Sequence, residues 1–204
     1  FVFGDWSSDV CSSDLFVMKD YAGIMQVGMG NTLNLETIAS LGDNLVAIIP
    51  ERFKSQVEQY EKIGVKALVA LPNTESFDTI KNSLLIVGKA LGEEERARKI
   101  AAFIDTQIQD VKILVAVAKA RPSVMFLGSK SPYSVATASM IQTDIIDIAG
   151  GRNAVTGVDV KGSFADVNIE QIIAWKPEII SVPAYASLPV DSLMADPTSK
   201  DHYA

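Results

Sequence analysis

The chain writes one phrase twice. Residues Asn34 to Ile48 read NLETIASLGDNLVAI, and Asn168 to Val182 read NIEQIIAWKPEIISV. Each copy sets an asparagine before an aliphatic residue and a glutamate. Apolar residues then follow at helical spacing, a short polar turn intervenes, and a β-branched run closes the phrase. An asparagine placed so is a helix N-cap, because its side-chain oxygen accepts an orphan N–H of the first turn. A glutamate in that turn meets the positive end of the helix dipole. Copies this far apart do not make a solenoid, in which adjacent repeats share one core. They predict two similar lobes with one helix-to-strand unit in each, and ligands of such proteins lie between the lobes.

The intervening sequence predicts an α/β fold. Leu45 to Ile49 reads as a buried strand ended by Pro50, Ser55 to Ile63 as a helix stopped by Gly64, and Val65 to Leu71 as a second strand. This alternation implies parallel sheets covered by helices. Phe77 to Leu91 is a helix closed by Gly92, and a longer one runs from Glu93 to Lys119. Its apolar face comprises Ala97, Ile100, Ala101, Ile104, Ile108, Val111, Val115 and Ala118. At 1.5 Å per residue it would reach about 40 Å, the length of a strut across a domain. After Pro122 the pattern restarts with a strand at Val124 to Leu127, a loop from Gly128 to Tyr133 and a helix from Ala138 to Ala149 closed by Gly150-Gly151. A loop through Phe164 leads to the second phrase. The expected division is an N-terminal lobe over 16–92, a bridging helix over 93–119 and a C-terminal lobe over 120–204.

Residues 1–15 stand apart. Asp5 to Leu15 reads DWSSDVCSSDL, which has no hydrophobic period and matches the in-frame translation of a short-read sequencing adapter. The segment is set aside as non-native, so Cys11 carries no redox information and the missing export signal carries none on localisation. Both ends of the chain are expected to be incomplete.

Composition narrows the chemistry. The net charge of -7 argues against nucleic acid, whose phosphates require a basic stripe. No uninterrupted apolar run approaches the roughly 18 residues of a membrane-spanning helix. One histidine, His202, and one cysteine give no ligand set for zinc or iron and no base for a nucleophilic triad. No metal site, resident cofactor or catalytic residue is therefore expected. Gly28-Met29-Gly30 offers part of a dinucleotide fingerprint, with Glu51 near the place of a ribose-binding acid, but Leu33 stands where the third glycine belongs. A tight turn feeding the Asn34 cap is the preferred reading. Tyr133, Phe164 and Tyr185 fall beyond strands or in loops entering helices, where α/β lobes bind ligands and an aromatic ring can cover a large planar or hydrophobic one. Packing on their own lobe is the alternative. Arg52, beyond the strand ending at Ile49, could meet an anion or simply be solvated.

The order of motifs resembles a known family. GMGNTLNLETIASLGDNLVAI, SFDTIKNSLLIVGKALGEEERARKI, DIIDIAGGRNAV and VNIEQIIAWKPEIISV are similar, in that order, to the periplasmic-binding proteins of iron-siderophore, haem and cobalamin ABC importers. The resemblance spans Val27 to Leu193. It implies two Rossmann-like lobes with parallel sheets, joined by one long bridging helix, with a ligand in the cleft between them. The tryptophan that cobalamin binders carry before the second N-x-E corresponds to Phe164, and another aromatic to Tyr133; the aromatic before the first N-x-E is replaced near Gly30. The ligand-binding candidates are then Gly30, Asn31, Arg52, Tyr133, Phe164 and Tyr185. Glu36 and Glu170 correspond to the glutamates that pair with arginines of the permease dimer. The resemblance implies a non-enzymatic, monomeric, extracytoplasmic receptor, periplasmic or lipid-anchored on the outer face of the cytoplasmic membrane, carrying a metal chelate, with a ferric siderophore expected first. Cobalamin, haem and molybdate are the same-fold alternatives, and a nucleotide-dependent enzyme using Gly28 to Leu33 is the alternative from another class.

Overall fold

The computed structural model describes residues 27–183, apart from 30, 31, 43, 129, 130, 159 and 161–163. Residues 1–15, Gly30, Asn31, Tyr185 and His202 therefore lie outside the described residues. The chain is an α/β protein of two compact units, one ending at Ala70 and the other beginning at Leu71.

In the first unit, β1 (Gly28–Met29) and β2 (Thr32–Leu33) pair antiparallel. The Asn34 N–H donates to the Val27 carbonyl at 2.9 Å, closing this hairpin immediately before α1 (Leu35–Ser40). The flanks of this loop, Gly28–Met29 and Thr32–Leu33, spend their backbone on each other. That pairing is what the tight-turn reading of the segment expects. The Asn34 side chain accepts the Thr37 N–H at 3.0 Å, as an N-cap should. Four residues after the cap, Ile38 is buried with Val27, Ile49, Tyr60 and Val65. Burial also raises the Tyr60 hydroxyl pKa. β3 (Val46–Pro50) and β4 (Lys66–Leu71) are neighbours in one sheet. Between them a 3-10 turn (Glu51–Gln56), broken at Phe53, precedes α2 (Val57–Lys62), so the helix expected from Ser55 starts late.

The second unit opens with a helical hairpin, α3 (Phe77–Leu91) and α4 (Glu94–Val115). Ser76 caps α3 in a reciprocal capping box with Thr79, and the Phe77 N–H donates to Asp144 Oδ2 at 2.7 Å. Gly92 takes the left-handed conformation (φ 73°) that ends α3, and the Glu93 N–H returns to the Gly88 carbonyl at 2.8 Å. The turn folds α4 back so closely that a Cβ on Gly88 would sit 2.4 Å from the Ala97 Cβ. The run GKALGEEERA is thus a close-packing device, with its first glycine against its last alanine. Lys81 adds a link by pairing with Asp105 of α4 and with Asp78 at 2.9 Å. The hydrogen bond to Asp105 leads in raising the Lys81 pKa, and that to Lys81 leads in lowering the Asp78 pKa.

α4 is shorter than its sequence suggests. It stops at Val115 rather than Lys119, so its 22 residues span about 33 Å. Ala97 and Ala101 are buried, whereas Ile100 and Val111, assigned to the same apolar face, are exposed. The close contact with α3 needs small residues, and it turns that side of α4 inward.

β5 (Ser123–Phe126) is the centre of a sheet ordered β7-β5-β9, with β7 (Arg152–Asn153) and β9 (Ile179–Ser181) parallel to it. α5 (Ile141–Ile148) and α6 (Ile169–Trp175) are the helices of this region. Its core gathers Met125, Leu127, Val135, Ala154, Val155 and Ile172. Ile172 stands four residues after the Asn168 cap, as Ile38 does after Asn34. The expected start of α5 at Ala138 is displaced to Ile141. Thr137 and Ser139 instead donate their hydroxyls to the Val160 carbonyl at 2.8 and 3.1 Å, which holds this stretch in a turn.

Replacing Gly88 with Ala should cost about 1–3 kcal/mol in urea unfolding, because the neighbouring turn must move. Ala97→Gly alone should cost about 1 kcal/mol through helix propensity. The double variant should lose measurably less than the sum, and strictly additive losses would show that the two residues do not meet.

Candidate functional site

Parallel α/β sheets bind ligands beyond the carboxyl ends of their strands, and β5 ends in an unusual way. Leu127 forms an antiparallel bridge with Val135, and the Gly128 N–H donates to the Ser134 carbonyl at 2.7 Å. Gly128 and Ser134 thus run antiparallel to each other at the start of β6 (Ser134–Ala136), which pairs antiparallel with β8 (Phe164–Asp166). The register sets Ser134 opposite Asp166, Val135 opposite Ala165 and Ala136 opposite Phe164.

Alternation along the strands sorts this ribbon into two faces. Val135 and Ala165 point into the core and are buried. Phe164 and Asp166 share the other face with Ser134 and with Ala136, which is also buried. Gly128 lies in the same row, and a Cβ there would stand 2.9 Å from Ser134 Oγ and 3.4 Å from Phe164 Cδ1. The Phe164 ring is thus seated over a bare backbone, and the half-buried side chain keeps part of its surface open. Tyr133 stands at the end of this ribbon, 36% exposed, with its carbonyl accepting the Val167 N–H at 2.9 Å. Its own N–H donates to Ser131 Oγ at 3.1 Å.

A polar seam holds the ribbon in place. Thr143 Oγ1 donates to the Thr137 carbonyl at 2.9 Å, and Asn153 Nδ2 donates to Thr143 Oγ1 at 2.7 Å. The other amide atom, Asn153 Oδ1, accepts the Val155 N–H at 3.0 Å. The AGGRN turn exists to deliver this asparagine: a Cβ on Gly151 would lie 3.0 Å from Ile146 and 3.1 Å from Val124. The loop entering α3 joins the same seam through the Glu75 N–H, which donates to the Ser139 carbonyl at 2.7 Å.

Of the candidates read from sequence, the structure brings Tyr133 and Phe164 onto one ribbon. Arg52 belongs to the first unit, exposed, with its guanidinium 5.4 Å from the Phe53 ring centroid. Gly30, Asn31 and Tyr185 lie outside the described residues. Glu36 and Glu170 take equivalent places, each exposed in the first turn after its asparagine cap. Sequence reasoning passed over Gly128, Ser134 and Asp166. A glycine directly after a buried strand was the available signal, but the two three-residue strands that use it have no periodicity to reveal them. Among the described residues, no cluster of His, Cys, Asp or Glu could hold a metal ion, and no helix is long and apolar enough to cross a membrane.

Comparisons with known proteins agree on the type. A family model described as "Periplasmic binding protein" matches residues 10–201, beginning inside the segment read as adapter-derived. The Fe(3+)-citrate-binding protein YfmC of Bacillus subtilis is 26% identical over 159 residues, covering 78% of this chain and 49% of the relative. The high-affinity heme uptake system protein IsdE of Staphylococcus aureus is 22% identical over 161 residues, covering 78% and 54%. The chain thus spans about half the length of these relatives. An ABC transporter substrate-binding protein from Listeria monocytogenes shares the fold, with a TM-score of 0.72 at 21% identity over 98% of this chain and 76% of its own.

Gly128→Ala should lower stability by about 1–3 kcal/mol, since the new methyl must displace Ser134 or the strand behind it. Urea denaturation reads the effect, and an unchanged midpoint would contradict the close packing of Phe164 and Ser134 on this glycine.

Proposed function

We propose that this chain, which belongs to the periplasmic binding protein family, captures an iron chelate outside the cytoplasmic membrane for an ABC importer, a ferric siderophore being the first expectation. The observation that carries the reading is the relationship to a protein named for binding Fe(3+)-citrate. Haem is the second reading, favoured by the relationship to a protein named for heme uptake. On apolar surface alone the aromatic ribbon suits either cargo. Phe164 offers an apolar ring surface already seated on Gly128 and Ser134, so little ordering entropy is lost when a rigid chelate meets it.

No covalent step is needed in this reading. The cargo is substrate, held by non-covalent contacts and released at the membrane. Glu36 and Glu170 serve the second event: each carries an exposed charge beside a fixed helix start, matched to arginines of a two-subunit permease. Such pairs set orientation and encounter rate more than bulk affinity. The receptor works as a monomer without a resident cofactor. Its two tasks then rest on different residues, the ribbon for cargo and the glutamates for docking.

The test uses the full-length protein with ferric citrate, haem and a ferric trihydroxamate as probes, measured by thermal shift. A probe at about a hundredfold over its Kd should stabilise by about 2.7 kcal/mol. Glu36→Lys combined with Glu170→Lys should leave cargo affinity within about twofold and abolish uptake. Uptake that persists in this variant would remove the docking role, and failure of all three probes to bind would remove the iron-chelate reading.

A further inference from the structure

The face of the ribbon opposite Val135 and Ala165 carries a charge next to its ring. Phe164 and Asp166 are two residues apart on β8, so their side chains lie on the same face. Ala165, between them, is buried on the opposite face. Ser134 is the direct cross-strand partner of Asp166, and Gly128 continues that row. The ring is therefore bordered by one carboxylate and one hydroxyl. The Asp166 side chain is exposed and has no hydrogen-bond or ion-pair partner among the described residues. Several acids of the second unit are differently employed: Asp144 holds the Phe77 N–H, Asp147 and Glu178 face Arg121 and Arg152, and Asp105 faces Lys81.

A carboxylate at the edge of an aromatic seat discriminates by charge. It repels a ligand that turns carboxylates toward it, and it attracts one that presents an ammonium group or hydrogen-bond donors. We propose that Asp166 is a specificity-determining residue of the ligand site, biasing the receptor toward neutral or cationic ferric chelates over anionic ones. The inference rests on the ribbon being the cargo site and adds which chemical class of cargo it favours. Ferric hydroxamates, whose three ligand charges neutralise the iron, fit that class. Ferric citrate and haem, both with surplus carboxylates, do not.

The experiment compares wild type with Asp166→Asn and Asp166→Lys in the full-length protein. Three probes are titrated by fluorescence quenching: a ferric trihydroxamate bearing an ammonium group, its neutral counterpart, and ferric citrate. For a partly exposed site the cationic chelate should bind about two- to fivefold more weakly to the Asn variant, and ferric citrate more tightly by a similar factor. The Lys variant should roughly double both logarithmic changes, the neutral chelate should change least, and raising the salt should shrink every difference. Equal effects on all three probes, or none, would overturn the charge role of Asp166. Phe164→Ala separates this from the underlying reading. If it leaves binding of every probe unchanged, or if no probe binds wild type, the ribbon is not the cargo site and both fall. If it weakens all three while Asp166 variants do not reorder them, the site stands and the specificity role is rejected.

Discussion

A helix of six or seven residues cannot hold itself together in water, because nucleation fixes several residues for very few hydrogen bonds. α1 and α6 are this short, and each is fixed by an asparagine that ties the first turn to its own side chain. The cap does more than supply a hydrogen bond. By setting where the helix begins, it sets which residue faces the core and which faces water. The fourth residue after the cap, Ile38 or Ile172, is buried, and burial of such a side chain contributes about 1.5–3 kcal/mol. The second, Glu36 or Glu170, is turned outward. The doubled phrase is thus a construction rule for phase, and it serves both units although their helix exits differ. Gly42 leaves α1 at φ 107°, whereas Lys176 ends α6 at φ 46°, in the left-handed region that a side chain disfavours.

Close approach is the second recurring device. Gly88 admits Ala97, Gly128 admits Ser134 and Phe164, and Gly151 admits Ile146 and Val124. In each place a missing side chain lets one element settle directly on another's backbone. These contacts give physical content to three motifs that a sequence shows only as letters. The helix junction is a packed hairpin, the AGGRN turn delivers Asn153 to the seam, and the glycine after β5 forms the floor of the aromatic seat.

What could be read from sequence follows from the same physics. The caps, the turn at Gly92 and the strands of the parallel sheet announce themselves through residue type or unbroken apolar runs. The 3-10 turn at Glu51–Gln56 does not, and neither does the late start of α5, where hydroxyl bonds from Thr137 and Ser139 to the distant Val160 carbonyl override a helical pattern. The ribbon of β6 and β8 was illegible for a different reason. Three-residue strands are too short to show alternation, and their pairing joins positions thirty or so residues apart. Tyr133 and Phe164 could be picked out as loop aromatics, but their sharing of one ribbon, and the carboxylate beside them, required the register.

The two proposed tasks also differ in how tightly they are bound to folding. Neither glutamate makes the cap; the asparagines do, with Gln171 closing the second box. Changing a glutamate's charge therefore gives up only the dipole interaction, about 0.3–1 kcal/mol, and leaves the helix phase intact. Phe164 has no such freedom, since its ring is part of what fills the space over Gly128. Asp166 lies between these cases. It shares a strand with Phe164 yet contributes no contact that the core needs. A residue so placed can change with the cargo without disturbing the scaffold, which is why charge selection is more readily adjusted there than at the ring itself.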